Sequence, residues 1–248
     1  MPFLPVPLAT DVLLWLLAAA VAGYAWFCSR KPHLAAPWKR VFLTRAAMIT
    51  SVVLGCYVMV GLADSVHFRP RLERADAASA EAYSPEVLSL LDLALAHLRE
   101  RREKTYSAPL ATRLYMKEQV ELAEGKQVRE FPRLRYGGAH LQEEAERGKD
   151  IALSLLGGVI AALLLSFGLF LAAKAMQRRK PEVPWRAAAA TLAAVLAAAL
   201  PVILLARGYH VLGTDKVGQD VLYQAMKSIR VSLIIGTLTT LEIGRAHV

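Results

Sequence analysis

Ile151–Ala173 reads IALSLLGGVIAALLLSFGLFLAA, a run with no charged side chain and no polar face. A helix of about 20 apolar residues crosses a hydrocarbon core. A helix buried in a soluble protein would keep one polar stripe. The run also lacks the period-two alternation of a barrel strand, so a membrane-spanning helix is the expectation. Three further blocks are free of charge in the same way: Val12–Cys28, Ala46–Ala63 and Ala187–Ala206. With 55% hydrophobic residues and a mean hydropathy of +0.36, the chain is expected to be an all-α polytopic membrane protein.

The first block competes with a signal peptide, which carries basic residues ahead of its apolar stretch. Residues 1–11 contain no Lys or Arg and one acid, Asp11, so an uncleaved anchor is expected. The formal net charge of +9 is of the sign that nucleic-acid binding needs, but its placement argues against that. Asp64–Asp150 holds 15 basic and 16 acidic residues, so the whole excess flanks the apolar blocks. Arg30, Lys31, Lys39, Arg40 and Arg45 sit between the first two blocks. Lys174, Arg178, Arg179, Lys180 and Arg186 sit between the last two. Short basic loops stay cytoplasmic, and Trp38 and Trp185 stand where interfacial indoles belong. The N-terminus and 64–150 are then expected on the periplasmic side of a bacterial inner membrane, with no nucleic-acid partner.

The expected organisation is a first helix pair at 1–63, a mainly helical exterior domain at 64–150, and a second pair at 151–206. In the exterior domain, Pro85–Glu103 shows leucines at helical spacing behind Ser84 as an N-cap. A second helix is expected over Leu110–Glu124, and a turn at Tyr136-Gly137-Gly138. Docking or sensing by this domain and a plain helical spacer are both compatible with its sequence. Pro201 lies in the fourth block, where a kink or a packing irregularity is expected. Cys28 and Cys56 fall inside apolar blocks, and the six histidines are scattered. No metal or cofactor site is expected.

Residues 207–241 form the part that points to function. Arg207–Leu241 reads RGYHVLGTDKVGQDVLYQAMKSIRVSLIIGTLTTL. His210–Asp215 has the composition of a turn: Gly213 permits unusual backbone angles, and Thr214 or Asp215 can cap a following helix. Lys216–Arg230 is amphipathic and suits the membrane surface. Val231–Leu241 begins a fifth apolar run.

At these residues the chain resembles the dipeptide/oligopeptide/nickel family of ABC transporter permeases, in the subunit with an HxLGTDxxGRDxxSR-like signature. The matching positions are His210, Leu212, Gly213, Thr214, Asp215, Gly218, Asp220 and Val221. Arg230–Gly236 (RVSLIIG) fits the family's RxSLxxG continuation. Gln219 stands where the family has Arg, and Tyr223-Gln224 replaces Ser-Arg. Four apolar blocks precede the signature here, where the family pattern has one, and the resemblance covers only Gly208–Leu241. It implies a permease subunit with no bond chemistry of its own. The implied partners are a second permease subunit, two cytoplasmic ATPase subunits, a periplasmic solute-binding protein and the lipid bilayer. Structural roles are expected for the signature residues. Gly213, Asp215 and Gly218 would form and cap the turn, and Asp220 and Arg230 would fix the helix.

The coupling loop with an EAA-type motif lies downstream of the signature in that family. The final residues 242–248, EIGRAHV, break the fifth apolar run. Arg245 at that depth would cost about 2.5–3.5 kcal/mol. The string also reads like a translated sequencing adapter, so the native chain is expected to continue past Leu241. A membrane-anchored sensor or accessory protein with a periplasmic domain is the alternative, although the interior loops are too short to hold an output domain. An intramembrane enzyme would need ionisable groups inside the spans, and the four blocks contain none.

Overall fold

The computed structural model describes residues 3–71, 83–121 and 127–246. Helix makes up 65% of the chain, which makes helix the dominant element. Among the described residues, four helices are long and apolar enough to cross a membrane: α1 (Ala9–Arg30), α3 (Arg45–Asp64), α6 (Arg147–Arg179, preceded by a 3-10 turn at Glu144–Glu146) and α7 (Trp185–Leu205). Within their apolar windows only 6–17% of residues are buried. Leu163, Leu164 and Phe167 are each about two-thirds exposed. Helices this apolar and this bare need a hydrocarbon solvent, and the multi-pass membrane class follows.

The chain folds as two compact units, Met1–Leu95 with Met226–Val248, and Ala96–Ala225. In the first, α2 (Pro32–Phe42) joins α1 to α3, and the Thr44 hydroxyl caps α3 by accepting from the Ala47 N–H at 3.3 Å. A small antiparallel sheet of β1 (Phe3–Pro5), β2 (His67–Pro70) and β3 (Leu88–Ser89) pairs Leu4 with Arg69 and His67 with Ser89. It ties the chain entering α1 to the chain leaving α3, so those two helix ends lie together. The short helix α4 (Leu90–Ala94) follows directly.

The second unit contains α5 (Ala96–Glu100), the hairpin of β4 (Glu118–Glu121) and β5 (Gln127–Glu130), and the α6–α7 pair. Gly158 of α6 lies so close to the Pro201 backbone of α7 that a Cβ would overlap it. Pro201 is buried at this crossing while α7 runs on through it, so it acts as a packing position. Leu141, Leu205 and Tyr209 form a small core beside the ends of this pair, with Leu110, Ile151 and Val211 against it. Helix α8 (Val221–Ala246) starts in the second unit and continues in the first.

Several expectations for the connecting segment need correction. Pro85–Glu103 is not one helix; β3, α4 and α5 divide it. The Ser84 N–H is bonded to the Pro70 carbonyl at 2.9 Å, and its hydroxyl holds the Glu86 N–H. Ser84 therefore closes a strand-end turn, and Ser89 is the true N-cap, in a reciprocal pair with Asp92. Leu110–Glu124 is not helical where described. Leu110 adopts φ 56°, and its N–H bonds to the His210 carbonyl at 2.9 Å. Leu114 N–H reaches the Pro132 carbonyl, and Glu118–Glu121 is strand; residues 122–124 lie outside the described residues. Long-range backbone bonds here override a local helical pattern. The turn at Tyr136–Gly138 is present as expected. The surface helix and fifth apolar run form one uninterrupted helix, α8, that begins five residues later than expected.

Candidate functional site

The stretch His210–Asp220 folds into a closed loop. Val221 N–H returns to the Gly213 carbonyl at 3.1 Å, Asp215 N–H to Gln219 at 2.9 Å, and Gly218 N–H to Asp215 at 3.0 Å. Gly213 (φ 77°) and Gly218 (φ 74°) make the two reversals in the left-handed region, where a side chain is strained. The Asp215 carboxylate accepts from the Val217 and Gln219 N–H groups at 3.0 and 2.8 Å, so it caps the turn. The helix cap is Asp220, whose Oδ1 accepts from Leu222 N–H at 2.8 Å and Tyr223 N–H at 3.4 Å. That corrects the expectation of Thr214 or Asp215 as helix cap.

Asp220 also anchors the loop's other end. Its Oδ2 lies 2.7 Å from His210 Nδ1, and both residues are fully buried. On the far side of the ring, His210 Nε2 is 3.4 Å from Glu103 Oε1. Glu103 in turn accepts from three successive backbone N–H groups, Arg135 at 2.8 Å, Tyr136 at 2.7 Å and Gly137 at 3.2 Å. The Glu103 N–H donates to the Gly218 carbonyl at 2.8 Å. Thr214 completes the seam: its hydroxyl donates to the Thr105 carbonyl at 2.8 Å and lies 3.0 Å from Ser107 Oγ.

The electrostatics follow from this geometry. Burial disfavours the charged imidazole, but hydrogen bonds and charges from Asp220 and Glu103 overcome it and raise His210 from 6.5 to about 9. Burial likewise opposes the Glu103 carboxylate, while His210 and the three N–H groups hold it at about 2, against 4.5 ordinarily. At neutral pH the centre is an imidazolium between two carboxylates, each group turned inward on the others. It is built as a brace joining residues 103–107 and 135–137 to the loop.

Its pH dependence has a definite sign. The His210 contribution is complete below pH 6.5 and is lost as pH rises through about 9. The Glu103 contribution is complete above pH 4.5 and is lost as pH falls through about 2. Maximum stability of the brace is therefore expected between pH 4.5 and 6.5. A melting-temperature series on the purified protein should fall from pH 6.5 to 9, and His210→Gln should flatten that slope. An unchanged slope in the variant would place the titrating group elsewhere.

Arg230 belongs to the first unit and does not join the loop. Its Nη1 donates to Asp11 Oδ1 at 2.8 Å, and its Nε lies 3.3 Å from Asp64 Oδ2. Asp11 Oδ2 is also 2.8 Å from His67 Nδ1. Lys227, one turn earlier on α8, contacts Asp64 at 2.7 Å and Asp92 at 3.0 Å. The Ser89 hydroxyl donates to Asp64 at 2.9 Å. The start of α1, the end of α3, the sheet and α8 thus meet in one buried ionic cluster.

His210, Gly213, Thr214, Asp215, Gly218 and Asp220 come together in the loop, whereas Arg230 fixes α8 in the other unit. Glu103, Asp11, Asp64, His67, Asp92 and Lys227 were missed by sequence reasoning. One signal was available for two of them. Asp11 and Asp64 are acids bordering apolar helices at ends the topology puts on the same side, and such acids call for a cationic partner. Comparisons with protein-family models, curated proteins and solved structures find no match to this chain.

Proposed function

We propose that this chain is a transmembrane permease subunit of an ABC importer for peptides or similar small solutes, working in a bacterial inner membrane. Its N-terminus and 64–150 lie on the periplasmic side in this reading. The observation that carries it is the loop His210–Asp220. Each residue that matches the family signature and bears a functional group has a separate task in closing that loop, so the spacing matches a folded unit. Gly213 and Gly218 turn the chain, Asp215 caps the turn, and Thr214 pins it to residues 105–107. Asp220 and His210 clamp its ends.

The departures from the signature are themselves paired. Gln224 Nε2 donates to Asp215 Oδ2 and lies 3.4 Å from Gln219 Oε1. Two neutral amides, at the positions where the family has arginines, thus meet over one carboxylate. The chain would bind a second permease subunit and draw energy from two cytoplasmic ATPases, with a solute-binding protein delivering cargo from outside.

The test is affinity purification of the chain in mild detergent from membranes of its native cells, with mass spectrometry of what is retained. A nucleotide-binding subunit and a second multi-span subunit in near-stoichiometric amounts are expected. Recovery of the intact chain without any nucleotide-binding protein would overturn the transport reading and favour a sensor or accessory role.

A further inference from the structure

We infer that the cavity at the loop-side end of the α6–α7 pair binds the headgroup of an aminophospholipid, taking phosphate on its arginines and the ammonium group beside Asp150. This rests on the second unit alone and is independent of the transport reading.

The cavity measures about 470 Å³, and Arg101, Arg207, Asp150, His140 and Tyr209 all line it. Its depth in the membrane follows from the sequence. Asp150 is the last charged residue before the uncharged block of α6, and Ser154, one turn further in, also lines the cavity. Leu204, in the last turn of α7, forms the matching wall on the other helix. The Tyr209 hydroxyl donates to Asp150 Oδ2 at 2.7 Å, which fixes the two helix ends at one level. The cavity therefore straddles the height at which apolar helix gives way to polar chain, where lipid headgroups lie.

The lining carries both signs of charge. Arg101 Nη1 donates to the Arg207 carbonyl at 2.6 Å, which holds the two residues together and leaves the rest of the Arg101 fork for a ligand. The Arg207 side chain is exposed and makes no hydrogen bond or ion pair among the described residues. Guanidinium forks match phosphate oxygens geometrically. Asp150 faces the same space, oriented by Tyr209 and by His140 Nε2 at 2.8 Å. A purely anionic ligand would meet this carboxylate and be opposed by it. A phosphodiester with a primary ammonium two carbons away satisfies both the arginines and the carboxylate, and its acyl chains can leave along exposed apolar residues such as Leu153 of α6 and Ile203 of α7.

The test uses the full chain in detergent, exchanged into mixed micelles containing equal phosphatidylethanolamine, phosphatidylglycerol and phosphatidylcholine. Retained lipid is then read by native mass spectrometry. Preferential retention of phosphatidylethanolamine is expected. Arg207→Gln removes a group with no partner among the described residues, so folding is preserved, and retention should fall about tenfold, the scale of one charge-assisted hydrogen bond. Asp150→Asn keeps an acceptor for Tyr209 and should abolish the preference for the amine lipid over phosphatidylglycerol. Equal retention by wild type and Arg207→Gln overturns the inference, and so does the absence of headgroup preference in the wild type. Binding of soluble glycerophosphoethanolamine as tightly as the lipid would also overturn it, because the cavity would then serve a free solute.

Discussion

Arg230→Met is expected to destabilise the first unit by about 3–5 kcal/mol, the scale for removing one partner from a buried ion pair. The size follows from what the substitution leaves behind. The Asp11 and Asp64 side chains are 4% and 1% exposed, and among the described residues Arg230 alone forms an ion pair with both. Without it, Asp11 keeps its contact with His67 among the described residues, and Asp64 keeps Lys227. Methionine fills the space of the arginine stem but supplies no charge, so the loss reports electrostatics more than packing. Arg230→Lys should recover part of the stability, because a single ammonium cannot span two carboxylates as a fork does.

The measurement is thermal unfolding of the purified protein, with hydrogen exchange at the first turn of α1 and at 65–70 as the local readout. A double substitution, Asp11→Asn with Arg230→Met, should cost less than the sum of the two singles. Residues in one network couple by about 0.5–3 kcal/mol. Strict additivity, or a wild-type melting point in Arg230→Met, would remove the cluster from any structural role.

The same cluster shows where the sequence was readable and where it was not. The four spanning helices could be read because each is a property of its own residues: an uncharged run of the right length needs no knowledge of a partner. The loop His210–Asp220 was partly readable for a similar reason, since its glycines and aspartates signal turns locally. The ionic contacts were not. Arg230 and Asp11 are 219 residues apart, and His210 and Glu103 are 107 apart. A single sequence carries no signal for pairings at such separations.

The helix expected over Leu110–Glu124 failed for a related cause. Its apolar spacing is real, but Leu110 and Leu114 direct their backbone N–H groups to residues 210 and 132, which a local reading cannot weigh. Ser84 and Ser89 illustrate a finer ambiguity. Both are serines preceding leucine-rich sequence, and only the strand pairing of residues 67–70 with 88–89 decides which one caps a helix.

Gly218→Ala is the second large effect expected, at about 2–5 kcal/mol. Part of it is local: at φ 74° an L side chain meets its own backbone, costing about 1–2 kcal/mol. The larger part is tertiary. A Cβ at Gly218 would sit within the contact radius of the Glu103 carbonyl oxygen, with the Glu103 carbonyl carbon and Cα close behind. Backbone atoms cannot swing aside as a side-chain tip can, and overpacking of this kind costs about 1–3 kcal/mol. Gly61 makes a useful contrast, because its would-be Cβ meets Leu233 Cδ1, the end of a flexible side chain; Gly61→Ala should be much milder.

The consequence of Gly218→Ala reaches the brace itself. Relief of the overlap must move residue 103 away from the loop. That movement breaks the 2.8 Å bond from Glu103 N–H to the Gly218 carbonyl and lengthens the 3.4 Å approach of Glu103 to His210. His210 then loses one of the two carboxylates that hold its pKa up. The variant should therefore melt lower and also lose stability at a lower pH than wild type as the imidazolium deprotonates. A merely strained turn would lower the melting point by the same amount at every pH. The pH profile of Gly218→Ala, compared with that of His210→Gln, separates a loop that bends alone from one clamped to Glu103.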